Sequence, residues 1–260
     1  MKFAQYIAAA VLLQCALSLP ASHYKPLTPE EAERLAAWTP ESKQAMWQLS
    51  GQYEGDMIIQ QGIRNGVIDT RLRWPNREIP YEFSGDFTES EKQYIAQTLA
   101  TEFAKTCITV RPRRAGDDDY VFITGQDTGC WSWVGRLGGR QELNLKRNGC
   151  IWYNTIIHEM LHAAGFYHQQ SATERDDYVA IQWQNIMQGT EHNFDKYPAD
   201  MISSFGEEYD YASIMHYDKY AFSANGQPTI IPTKDPNAEI GKSQYLSRTD
   251  INKLNKMYGC

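Results

Sequence analysis

Clustered positive charge is the first thing this chain lacks. Its 260 residues carry 25 Lys and Arg against 32 Asp and Glu, and the formal charge of -7 is spread along the sequence with no basic stripe. Neutralising phosphates needs such a stripe, so no nucleic-acid partner is expected. There is no internal repeat, no low-complexity tract and, past the N-terminus, no second long apolar run. No Asn-x-Ser/Thr sequon occurs, so N-glycosylation is not expected. No two cysteines form a CxxC pair, which argues against a cysteine zinc site. The balance of 42% hydrophobic and 22% charged residues is that of an ordinary folded domain.

What is present begins with a secretory signal. Lys2 supplies a positive start, Ile7 to Leu19 an apolar run, and small residues near Ser18 and Ala21 a place to cut, giving a signal over 1–18 with cleavage between 18 and 21. The run is shorter than the roughly 20 apolar residues a bilayer needs and Pro20 ends it, so a secreted chain without a membrane anchor is expected. Cys15 leaves with the signal. Cys107, Cys130, Cys150 and Cys260 remain, an even number that in an oxidising compartment implies two disulfides, with three pairings open.

Residues 22–64 read as a small helical prosegment. Thr28-Pro29-Glu30-Glu31 combines a cap, a proline at the first helical position and a capping-box Glu, Thr39-Pro40-Glu41 repeats the start of that pattern, and Gly51 suits a stop. From Trp74 the pattern changes. Ile79 to Phe83 reads as a strand, and Thr88 with Glu91 opens a helix carrying Ile95, Leu99 and Phe103. Strand-like runs follow at Ile108–Arg111, Tyr120–Thr124, Trp133–Arg136 and Gln141–Leu145. A second helix runs from about Tyr153 to Gly165, and a last one from Ser247, with Asp250 in its cap, to Tyr258. The predicted fold class is α+β: a twisted N-terminal sheet with two long helices, then a mostly irregular half.

The chemistry lies in His158-Glu159-Met160-Leu161-His162. Helix positions four apart share a face, so two imidazoles can reach one ion. Gly165 follows three residues after His162, and His168 three after that. A straight helix would aim His168 away, whereas a glycine at positive φ turns the chain and brings His168 back as a third ligand. Three of the six His sit in this one pattern, which argues against unrelated core or surface histidines. A three-His zinc site keeps one position open, as catalytic sites do, and Glu159 is the adjacent carboxylate able to take a proton and deliver it again.

The run from His158 to Val179, HEMLHAAGFYHQQSATERDDYV, resembles the astacin family of metzincin endopeptidases, as does Ser213-Ile214-Met215-His216-Tyr217. The similarity extends over the chain after Trp74. It implies one Zn2+ in a cleft between two halves of a catalytic domain over 65–260. Met215 would form an apolar floor under the metal. Tyr217 would be a movable ligand that turns to steady the oxyanion. It also implies disulfides Cys107–Cys260 and Cys130–Cys150, and a substrate-binding edge strand over Trp131, Ser132, Trp133, Val134, Gly135 and Arg136.

Tyr53-Glu54-Gly55-Asp56 is similar to the family's inhibitory motif, in which Asp56 takes the open zinc position in the precursor. Activation would be a cut after Arg64 by a trypsin-like protease, leaving Asn65 as the new N-terminus. Substrates would be proteins or peptides, and a monomer is expected. The competing expectation is a zinc-bearing binding or structural protein without turnover, against which the retention of Glu159 and Tyr217 argues. Two positions depart from the family: Gln169 stands where Glu is usual after the third His, and Ala172 where a basic residue is common.

Overall fold

Local capping sets where the helices begin. In the computed structural model, which describes residues 24–42, 44–59 and 69–260, Thr28 caps helix α1 (Pro29–Ala36) in a reciprocal box with Glu31. The signal segment and the Arg64–Asn65 bond lie outside the described residues. No second α-helix starts at Thr39, contrary to the sequence pattern. The Thr39 amide is taken by Ser42 Oγ at 2.9 Å and the Trp38 indole reaches back to Gln44 O at 2.9 Å, so the segment closes as a turn. The chain then makes only a short 3-10 helix over Met46–Leu49.

Among the described residues the main sheet has six strands: β1 (Met57–Ile58), β2 (Glu78–Phe83), β3 (Thr109–Pro112), β4 (Tyr120–Thr124), β5 (Cys130–Trp133) and β6 (Arg140–Leu145). Their order is β1-β5-β6-β4-β2-β3, parallel throughout except for β5 against β6. Helix α2 (Glu89–Phe103) starts from the Thr88–Glu91 box. It turns Ile95, Leu99 and Phe103 into the core with Ile79, Val121 and Ile123 of the sheet. Helix α3 (Tyr153–Ala164) is buried along most of its length within the same core. Burial of such side chains contributes about 1.5–3 kcal/mol each, which makes α3 a rigid base for anything it carries.

The second half is mostly loops, as its weak periodicity predicts. It holds a two-stranded ladder of β7 (Val179–Ile181) and β8 (Ile230–Pro232) and ends in helix α4 (Arg248–Met257), capped by Ser247 and Asp250. Cys107 is bonded to Cys260, tying the C-terminus to the end of α2, and Cys130 to Cys150. Among the described residues no helix is long and apolar enough to cross a membrane.

The expected edge strand is corrected in its bounds. Strand β5 covers 130–133 rather than 131–136, because Gly135 (φ +74°) turns the chain and sends its N–H to His162 O at 2.9 Å. Arg136 then leaves the sheet to pair with Asp119 at 2.5 Å and to donate to Arg71 O and Arg73 O. The side of β5 away from β6 is covered by residues 57–58. Strand β1 pairs with it in parallel, Met57 opposite Ser132 and Ile58 opposite Trp133.

Candidate metal centre

Helix α3 places His158 and His162 one turn apart on its buried side, with Glu159 between them. The helix stops at Gly165, at φ +113°, a backbone state that L side chains rarely adopt. The stop is a Schellman turn: Phe166 N–H donates to Leu161 O at 2.9 Å and Gly165 N–H to His162 O at 2.8 Å. The reversal brings His168 back so that its Nε2 lies 3.2 Å from His158 Nε2, while His162 Nε2 lies 3.1 Å from His158 Nε2.

Each imidazole is fixed from behind. His158 Nδ1 faces Ile214 O at 2.9 Å, His162 Nδ1 faces Phe166 O at 2.8 Å and His168 Nδ1 faces Glu54 Oε2 at 2.8 Å. Oxygens of these types accept, so each Nδ1 carries the proton and each Nε2 turns a bare lone pair toward the common centre. Three lone pairs facing one another repel unless a cation lies among them.

Asp56 closes the group. Its oxygens stand 3.2–3.4 Å from the three Nε2 atoms, yet neither makes a hydrogen bond, although the side chain is wholly buried. Zinc bonded at about 2.0–2.1 Å in a tetrahedron sets its ligands roughly 3.3 Å apart, close to these spacings. Three His and one Asp therefore fit a single zinc ion, and Asp56, His158, His162 and His168 form a group that could hold a metal. Burial opposes ionisation of Asp56, but its contacts with the three imidazoles hold its carboxyl well below the usual range. Glu159 moves the other way. Burial and then the Asp56 charge push it well above the usual range, and neither of its oxygens has a hydrogen-bond partner.

Below the group lies the turn through Met215, which is 1% exposed and whose carbonyl accepts from Gln169 N–H at 2.9 Å. Asp250 pins this turn, accepting from Ser213 Oγ at 2.6 Å and Ile214 N–H at 3.0 Å. The sequence marks Asp250 only as a helix cap, and its grip on a loop 37 residues away is visible only in the fold. Tyr217 is buried and donates to Glu54 O at 2.6 Å, its ring 4.7 Å from those of His168 and Trp47. Gln169 Oε1 accepts from the buried ammonium of Lys253 at 2.8 Å, and Ala172 packs in the apolar cluster of the second half. Trp131, Ser132 and Trp133 lie in β5. Val134 continues its ladder for one bond, donating to Ile58 O at 3.1 Å.

Residues 66–259 match the model of Astacin, a peptidase family. This chain belongs to the astacin family. The zinc metalloproteinases nas-13 and nas-7 of Caenorhabditis elegans are each 46% identical to it over 197 residues, 76% of this chain but 43% and 51% of theirs. The chain thus spans about half the length of these curated relatives. Among solved structures, high choriolytic enzyme 1, a hatching enzyme zinc-protease from the medaka Oryzias latipes, is 39% identical with a TM-score of 0.67, covering 72% of this chain and 93% of that one. For an astacin, three His on one helix and its turn are the expected zinc donors, and zinc is the metal these relatives carry in their names.

Proposed function

We propose that this chain is the secreted precursor of a zinc endopeptidase, silenced by Asp56 and activated by cleavage after Arg64. The observation that carries the reading is the buried Asp56 carboxylate set against three imidazole nitrogens. Bound there, zinc would polarise a scissile carbonyl and lower the pKa of a water toward about 7. Asp56 fills the position such a water needs. Removing it also removes the charge that helps to raise Glu159, leaving a buried, unpartnered carboxylate free to accept and return a proton.

The remaining residues fit the same scheme. Tyr217, released from Glu54 O, can turn its hydroxyl to an oxyanion. Strand β1 lies on the edge that a peptide substrate would use, with Ser132 N–H donating to Asp56 O and Val134 N–H to Ile58 O. Losing β1 frees those donors for a substrate backbone. Cleavage at Arg64 leaves Asn65 as the new N-terminus and calls for a trypsin-like activator. The substrates are proteins or peptides, and the chain acts as a monomer.

The test is hydrolysis of a denatured protein by the purified precursor before and after a brief trypsin cut, with Glu159→Ala alongside. Activity should appear only after the cut and be absent from the variant. Zinc-loaded chain with Asn65 as its confirmed N-terminus and no turnover would instead establish a zinc-bearing binding protein.

A further inference from the structure

Glu54 and Asp56 are both fully buried, two positions apart on either side of Gly55. Asp56 meets the imidazole nitrogens from the front. Glu54 grips one of the same rings from behind: its Oε2 accepts from His168 Nδ1 at 2.8 Å and its Oε1 from Ser171 Oγ at 3.0 Å. The turn that allows this is unusual. Glu54 has φ +47° and Gly55 φ +91°. A Cβ on Gly55 would stand 2.8 Å from the Trp47 ring, so packing holds the turn. His158 and His162 lean on backbone carbonyls of the catalytic part. His168 leans on a carboxylate that belongs to the prosegment.

A carboxylate behind an imidazole fixes the ring and makes its other nitrogen a better donor to a metal, and loss of such a partner typically costs 10–100-fold in metal affinity. We propose that Glu54 is a positioning residue of the metal centre, a partner of His168 present only in the precursor, so that activation removes one of the supports that retain zinc. The proposal rests on the zymogen reading, since a cut after Arg64 must be what releases residue 54. Asp56 leaves in the same step, so comparing precursor with activated chain cannot isolate Glu54. Variants at Glu54 with Asp56 intact can.

Zinc-loaded full-length chain is mixed with a chromophoric chelator and zinc transfer is followed by absorbance, for wild type, Glu54→Gln and Glu54→Ala. Hydrolysis of a denatured protein is measured on the same uncut samples. Glu54→Gln should speed zinc loss modestly and Glu54→Ala by about ten-fold or more, while both precursors stay proteolytically silent under Asp56. After the cut and removal of the prosegment, all three should lose zinc at one rate. Zinc loss from uncut Glu54→Gln and Glu54→Ala at the wild-type rate overturns the proposal. So does faster loss accompanied by proteolysis, because Glu54 would then only anchor the prosegment. Glu54→Gln, nearly isosteric, keeps the comparison open if the alanine variant does not fold. Failure of the zymogen reading shows separately, as proteolysis by uncut wild type.

Discussion

Asp56 and Glu159 are two wholly buried carboxyls driven in opposite directions, one below and one above the ordinary range. Environments that push paired acids apart mark which accepts protons and which stays charged, and under the proposed activation the charged one would leave. Tyr217 carries the next test. With its phenol free, Tyr217→Phe in the activated chain should lower kcat about 100-fold with KM little changed, as loss of an oxyanion donor does. A raised KM with kcat intact would assign the hydroxyl to substrate binding instead. The three His and Glu159 were legible because their spacing lies within one helix and one turn. Glu54 was not. Its partner His168 is 114 positions away, and nothing local distinguishes a carboxylate that holds a ligand from one that makes an acidic turn.

At the scale of elements, the helix starts at Thr28, Thr88 and Ser247 could be read directly, because capping is a matter of three or four residues. Strand ends were harder. Arg136 follows β5 in sequence, yet its pull toward Asp119 and the Gly135 turn are tertiary effects that a strand-like run cannot reveal. Gly165 was readable and is testable. A Cβ there meets Met257 no closer than 3.6 Å, so Gly165→Ala should suffer from backbone strain alone. The expected cost is about 1–3 kcal/mol, seen as a lower melting temperature, together with faster zinc loss as His168 is misdirected. Unchanged zinc retention would separate the turn from the metal site.

Strands β2 and β3 are linked by Arg111, which pairs with Glu78 and Asp117, each at 2.7 Å. Hydrogen bonds from Arg111 and then from the Arg114 amide hold the Asp117 carboxyl well below its usual range. A depressed folded pKa contributes stability that is full above the unfolded value of about 4 and is lost as pH falls through the folded value. Asp117→Asn should therefore melt below wild type at pH 7, and the gap should close progressively below about pH 4. A gap that stays constant down to strongly acid pH would show that the ion pair adds nothing beyond neutral hydrogen bonds.

Across the whole molecule, residues 47–58 run along the metal group and the side of β5 away from β6, as the proposed precursor form requires. Residues 47–58 contribute Trp47 to the aromatic cluster of Tyr217 and Phe222, Gln48 to the Phe222 amide, Asp56 to the metal group and β1 to the sheet edge. Only the placing of Asp56 at the metal followed from the sequence, through the resemblance; the other contacts join residues many tens of positions apart and left no local signal. One anchor holds β5 and not the metal group. Ser50 Oγ accepts from Cys130 N–H at 2.9 Å and donates to Cys130 O at 2.8 Å, both buried. Ser50→Ala leaves that amide without a partner only while the prosegment is docked, at a cost of about 1–3 kcal/mol. If docking alone keeps the enzyme silent, the uncut Ser50→Ala precursor should show residual proteolysis raised by about 5- to 160-fold over wild-type precursor. After the proposed cut it should match the wild type, because residue 50 would then be gone. Unchanged residual activity would mean that Asp56 and its neighbours hold the segment without help from the β5 side of the cleft.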